Sequence, residues 1–221
     1  MITLAIAQVV LYVVAFIIGA KFFIMQKSPL YFRLLFYGVA CFLLEELYYL
    51  VDYACNGAWP DTFSFATFGA GACYAFMFSA NYGQFDSFVD DNSKGCIRAR
   101  KLGYIAPALL ILIYIVAGYH YISTTGNVAY VVLTVLCKLP AFFAAYYHLK
   151  HLLLPDVMHF VVDSLRPCNT ACLCLIFIDI LSDAFFAYGM ETGYLLCETI
   201  VALVLIIVML TAERGRLAWM T

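Results

Sequence analysis

A chain of 221 residues that is 66% hydrophobic and 12% charged cannot clothe a globular surface in polar groups, because soluble domains carry about a quarter charged residues. Its mean hydropathy of +0.95 makes lipid its solvent. The net charge of −2, with no clustered basic face, excludes nucleic acid as a partner.

The apolar run from Ile2 to Ile18 is longer than a signal-peptide core, follows no basic region and precedes no A-x-A site. It predicts a first membrane span over 3–24 rather than a cleaved leader. Six more windows of about 20 mainly apolar residues predict spans over 30–53, 62–83, 103–121, 127–148, 168–189 and 192–212. The expected fold is all-α, a polytopic membrane protein with one domain over 1–221 forming a single bundle of seven transmembrane helices. Lysine and arginine set its orientation. Lys21, Lys27 and Arg33 flank the first connection, and Lys94, Arg98, Arg100 and Lys101 crowd the third. Lys150 and Arg166 flank the fifth, Arg214 and Arg216 the tail, and the second, fourth and sixth connections have neither residue. The N-terminus is therefore expected outside and the C-terminus in the cytosol, in a plasma or cytoplasmic membrane. Trp59-Pro60, Tyr119 to Tyr121 and Trp219 fit aromatic belts.

Charges inside the spans carry the functional signal, because an ionisable side chain at bilayer depth is costly and usually faces a bundle interior. In the second span Glu45 and Glu46 are adjacent, so one is expected to face inward and the other to near the interface with Asp52. Gly69, Ala70, Gly71 and Ala72 in the third permit close helix approach. The loop from Asp86 to Lys101 reads as a solvated face near anionic headgroups.

The fifth span, VAYVVLTVLCKLPAFFAAYY, holds Lys138 near mid-bilayer, on a stripe with Thr134, Ala141 and Ala145. Pro140 opens the backbone beside it and serves as a candidate hinge. After it come His148, His151 and His159, which read as interface residues, a metal site being the minor alternative. In the sixth span Asp179, Ser182 and Asp183 share a face by their i, i+3, i+4 spacing, and the seventh holds Glu198. Nine cysteines show no CxxC and lie mostly in apolar segments, where they behave as small hydrophobes.

Seven spans and a buried lysine resemble the retinal proteins in topology. In microbial rhodopsins, however, the retinal lysine is on the last span, and here LLCETIVALVLIIVML has none. The third span also lacks their Arg and Asp pattern. The histidines do not reproduce the zinc sets of ceramidase- and receptor-like seven-span hydrolases, nor are there the matching proline-bearing halves of seven-span sugar transporters. No cofactor is expected; a retinal Schiff base on Lys138 is the other minor alternative.

One lysine cannot neutralise all these carboxyls, so the site is expected either to accept a cation or amine from outside or to hold protons. The leading expectation is a stand-alone receptor or sensor-type protein with an outward-facing pocket. Glu45, Glu46, Lys138, Asp179, Asp183 and Glu198 would bind a small cationic or amine ligand or couple to ions. With short loops, it would act through a cytosolic or membrane partner protein. The alternatives are a proton- or cation-coupled transporter using the same groups and, third, an intramembrane hydrolase; an enzyme is the lesser expectation.

Overall fold

The computed structural model describes residues 2–26, 28–57, 63–86, 93–154 and 161–220. Lys27, Trp59, Pro60, Asp90, Asp91, Pro155, Asp156 and His159 lie outside these, as does the side chain of Trp219. Among the described residues every regular element is helical. The helices are α1 (Ile2–Gly19), α2 (Leu30–Asn56), α3 (Phe68–Asn81), α4 (Lys94–Gly103), α5 (Ile105–Thr125), α6 (Val128–Cys137), α7 (Leu139–Leu153), α8 (Val161–Ala187) and α9 (Glu191–Met220). A π-helical turn, Ala20–Ile24, extends α1; a 3-10 turn, Phe65–Thr67, and a π turn, Tyr82–Asp86, extend α3 at its two ends.

Five helical stretches are long and apolar enough to cross a membrane: Thr3–Ile24, Leu30–Asn56, Lys94–Thr125, Asp163–Ala187 and Glu191–Ala218. A sixth results if Val128–Cys137 and Leu139–Leu152, bent by 41° at Lys138, are taken as one span. The chain is therefore a membrane-embedded helical protein. The outward faces agree, with Val10, Ile17, Leu44, Val51, Leu112, Ile115, Leu203 and Ile207 exposed where only lipid can solvate them. The third window behaves differently: α3 alone has 14 residues and reaches 65–86 only with its flanking turns. The fourth window starts earlier than its hydropathy suggests, since the amphipathic, basic α4 runs into α5 through a single turn residue, Tyr104. The sixth begins at Val161 and carries Pro167 inside it, so Cys168 lies beyond the helix start.

Side-chain contacts fix the packing. Phe23 stacks on Phe32 and Tyr12 on Phe42, so α2 runs back along α1. A Cβ on Gly38 would touch Cys73, and one on Gly69 would strike Glu45, so α3 returns along α2. Tyr114 reaches Asp183, and Lys138 reaches Asp179, setting α8 against both α5 and the α6–α7 pair. Ser182 meets Glu198, and Gln8 donates to Thr199, closing the bundle through α9 onto α1. Three helices stop at left-handed glycines, Gly57, Gly126 and Gly189, with φ of 73°, 71° and 67°. That conformation costs glycine little and ends a helix by turning its last carbonyls aside. All three lie at one end of the bundle, and every described Lys and Arg except Lys138 lies toward the other.

Small residues set the close approaches. A Cβ at Gly71 would collide with the Cys137 carbonyl oxygen, so α3 seats directly on the backbone where α6 ends. At that break Lys138 has φ −88° and ψ 6°, in the bridge region between helix and strand. Leu139 and Pro140 start the next helix, where a missing proline N–H costs nothing. The expected opening at Pro140 is thus located at Lys138 itself, the shared cap of two half-helices.

Candidate functional site

Toward the glycine-capped end the helices part around a cavity of about 400 Å³. Its wall includes Glu45, Glu46, Lys138, Asp179, Asp183 and Glu198, contributed by α2, the α6–α7 break, α8 and α9. Gln8 of α1, Thr67 before α3 and Thr134 of α6 complete its polar lining, and it reaches the connecting loops at Ser64, Gly189 and Glu191. Glu45 and Glu46 both line it, in place of the expected split between cavity and interface. Asp52 is elsewhere, on the exposed surface, accepting from Asn56 at 2.8 Å.

Lys138 is 4% exposed, and its Nζ sits 2.8 Å from Oδ2 of Asp179 and 2.8 Å from Oδ2 of Asp183. The i, i+4 spacing of the two aspartates on α8 is what lets one ammonium bridge them. Tyr114 of α5 donates to Asp183 at 2.6 Å, and the Tyr74 hydroxyl lies beside Asp179. Ser182, on the same turn, donates to Glu198. Tyr12 faces Glu46 from α1. Oε2 of Glu45 is enclosed against Gly69 and, like the buried hydroxyls of Tyr12 and Tyr74, has no hydrogen-bond partner among the described residues.

Five buried or half-buried carboxyls thus surround one ammonium in a space walled by apolar helices, with a sixth, the exposed Glu191, at the rim. All five cannot be ionised together there without further positive charge, since an uncompensated buried charge costs several kcal/mol. The arrangement therefore takes up either protons or an added cation. Aromatic rings cover the outer part of the cavity: Tyr130 and Phe186 have centroids 6.0 Å apart, and Phe186 and Tyr194 5.9 Å. Such walls suit an apolar body or a cation set over a ring face.

A second polar cluster lies toward the basic end. His148 and His151 are fully buried within the bundle. Uncharged amides, which hydropathy does not flag, make this possible. Nδ1 of His148 lies 2.8 Å from Oδ1 of Asn169, and Asn81 links the two rings, its Oδ1 2.8 Å from Nδ1 of His151. Nε2 of His151 reaches Asp86 at 3.0 Å, and Lys150 pairs with the same carboxylate. Partial burial pushes the Asp86 carboxyl up, but the His151 and Lys150 donors outweigh it and hold the group below the usual carboxylate range. The imidazoles are committed to this chain of amides and acid. Among the described residues no group of three His, Cys, Asp or Glu side chains is placed to hold a metal.

Between the clusters, Cys73, Met77, Ala141, Ala144, Ala145, Cys172 and Ile176 are fully buried, forming an apolar layer. Lys138 and His148 are ten residues apart in sequence, about 15 Å of helix. All nine cysteines are free thiols.

No protein-family model, curated protein or solved structure matches the chain. Fold and site therefore define its class on their own terms: a membrane-embedded bundle, helical throughout its described residues, with an acid-rich interior cavity that has Lys138 in its wall.

Proposed function

We propose that this protein is a receptor or sensor-type membrane protein whose cavity takes a small cationic molecule. One observation carries the reading: six carboxyls and a single ammonium face one cavity of about 400 Å³. A volume in that range suits a small-molecule ligand. We further propose seven crossings, with α3 and its flanking turns as the third and the bent α6–α7 pair as the fifth. The glycine-capped end then faces outward, because lysine and arginine favour the cytosolic side. In this reading the cation competes with Lys138 for Asp179 and Asp183, and a change in that pairing swings α6 about the break. The motion passes through the displaced helix ends to a partner chain.

The apolar layer below Lys138 favours this reading over a cation-coupled transporter, which needs a polar path to both sides. Purified protein in nanodiscs, warmed with a panel of small amines, inorganic cations, carboxylates and neutral molecules, tests it. Stabilisation by the cationic members alone, lost when Glu45→Gln and Glu198→Gln are combined, is the expected result. An equal response across the panel, or a cation response that survives in the double variant, overturns it.

A further inference from the structure

Resting on that reading, we infer that the cavity selects a primary or secondary alkyl- or arylalkylammonium, anchored through its N–H groups on Glu45. Protein groups already serve three of the other acids of the cavity. Asp179 and Asp183 share Lys138, Asp183 also accepts from Tyr114, and Glu198 accepts from Ser182. Glu45 has no such service: the residue is 8% exposed, lines the cavity, and keeps Oε2 without a partner.

A buried acceptor left unmade is costly, and a carboxylate can only accept. Whatever relieves it must bring a donor as well as a positive charge. An ammonium bearing N–H bonds does both, whereas a quaternary nitrogen brings charge alone. Gly69 holds the geometry, because a Cβ there would lie 2.5 Å from that of Glu45 and 3.2 Å from Oε2. The carboxyl's terminal torsion is soft and roughly two-fold, so it can turn its oxygens to a guest. The rings of Tyr130, Phe186 and Tyr194 stand toward the loops and give the ligand's carbon body its seat.

The test uses three bodies, propyl, hexyl and phenylethyl, each carrying a primary ammonium, a trimethylammonium or a hydroxyl head. Binding to the full-length protein in nanodiscs is read by calorimetric titration. For at least one body the primary ammonium binds ten times or more tightly than its trimethyl counterpart. Glu45→Gln then loses about 10–100-fold for the primary ammonium, the worth of a charge-assisted hydrogen bond, and much less for the trimethyl form. Glu46→Gln is the control for lost charge without the anchor and loses less than Glu45→Gln. Equal affinity of the two ammonium heads, or equal losses in the two glutamate variants, overturns the anchor while leaving a cation site standing. If ammonium heads bind no better than hydroxyl heads, the cation reading itself falls, and this inference with it.

Discussion

Replacing Lys138 with methionine removes the one positive charge in the cavity wall while keeping most of its volume. At 2.8 Å and an effective dielectric of about 20, each lysine–aspartate contact is worth about 6 kcal/mol of attraction. Desolvating the ions takes back several kcal/mol apiece, so the intact site is roughly neutral for stability. Removing only the cation is not neutral, because it leaves Asp179 and Asp183 enclosed without their partner. The loss expected is about 3–5 kcal/mol, or about 6–20 °C in melting temperature at about 2–4 °C per kcal/mol for a chain of this size. Melting is read in micelles with a thiol-reactive fluorophore, since Cys73, Cys168 and Cys172 are buried and become reactive on unfolding. Combining Lys138→Met with Asp179→Asn and Asp183→Asn returns the site to neutrality and regains at least half of the loss. A single variant melting within about 2 °C of the parent refutes the buried pairing. So does a triple variant no more stable than the single one.

Gly71→Ala forces a Cβ against the Cys137 carbonyl oxygen, a backbone atom that cannot step aside. Overpacking of this kind costs about 1–3 kcal/mol, whereas Gly83→Ala, with nothing within 4 Å, leaves the melting curve in place. Similar melting of the two variants would contradict the seating of α3 on the break. Asn81→Leu strips a partner from both buried histidines and lowers stability by about 1–3 kcal/mol for each group left unpaired. His148→Leu added to it costs much less than His148→Leu alone, which a double-mutant cycle measures. Asp86 carries the pH dependence. Its folded carboxyl is held low, so its contribution is complete above its unfolded value of about 3.9. That contribution disappears as pH falls through the folded value. Asp86→Asn therefore melts below the parent at pH 7, and the gap narrows below about pH 4; a gap constant with pH would dismiss the pairing.

Hydropathy made the spans legible because lipid demands apolar length, and Lys138, Asp179, Asp183 and Glu198 stood out because each breaks such a run. Rotation about the helix axes was less legible. Glu45 and Glu46 sit about 100° apart on their helix, and a narrow seam would admit one of them. A cavity of about 400 Å³ subtends enough of α2 to take both. The second cluster escaped for a different reason. Asn81 and Asn169 weigh little in a hydropathy window, yet they supply the bonds that let His148 and His151 be buried within the bundle. A polar amide recurring in an otherwise apolar helix was the available signal, as it was for Gln8, which donates to Thr199 at 3.1 Å. The docking of Gly71 on a particular carbonyl needs coordinates, since small residues announce proximity without naming the neighbour.

The two half-helices meeting at Lys138 are held very unequally. α6 buries only Thr134 and turns Val128, Val132, Leu133 and Leu136 outward. α7 buries Ala141, Ala144, Ala145, His148, Lys150 and His151. The amide network ties α7 to α3 and α8 at its far end, and Gly71 clamps the break from below. Local motion is drawn from segments with few buried contacts, so a rearrangement at the ion pair moves α6 and leaves α7 in place. Across the apolar layer no charged side chain among the described residues connects the two ends. In the proposed reading a signal must therefore leave the cavity by displacing helix ends, and the moving part is the half-helix that carries Tyr130 and Thr134 in the cavity wall.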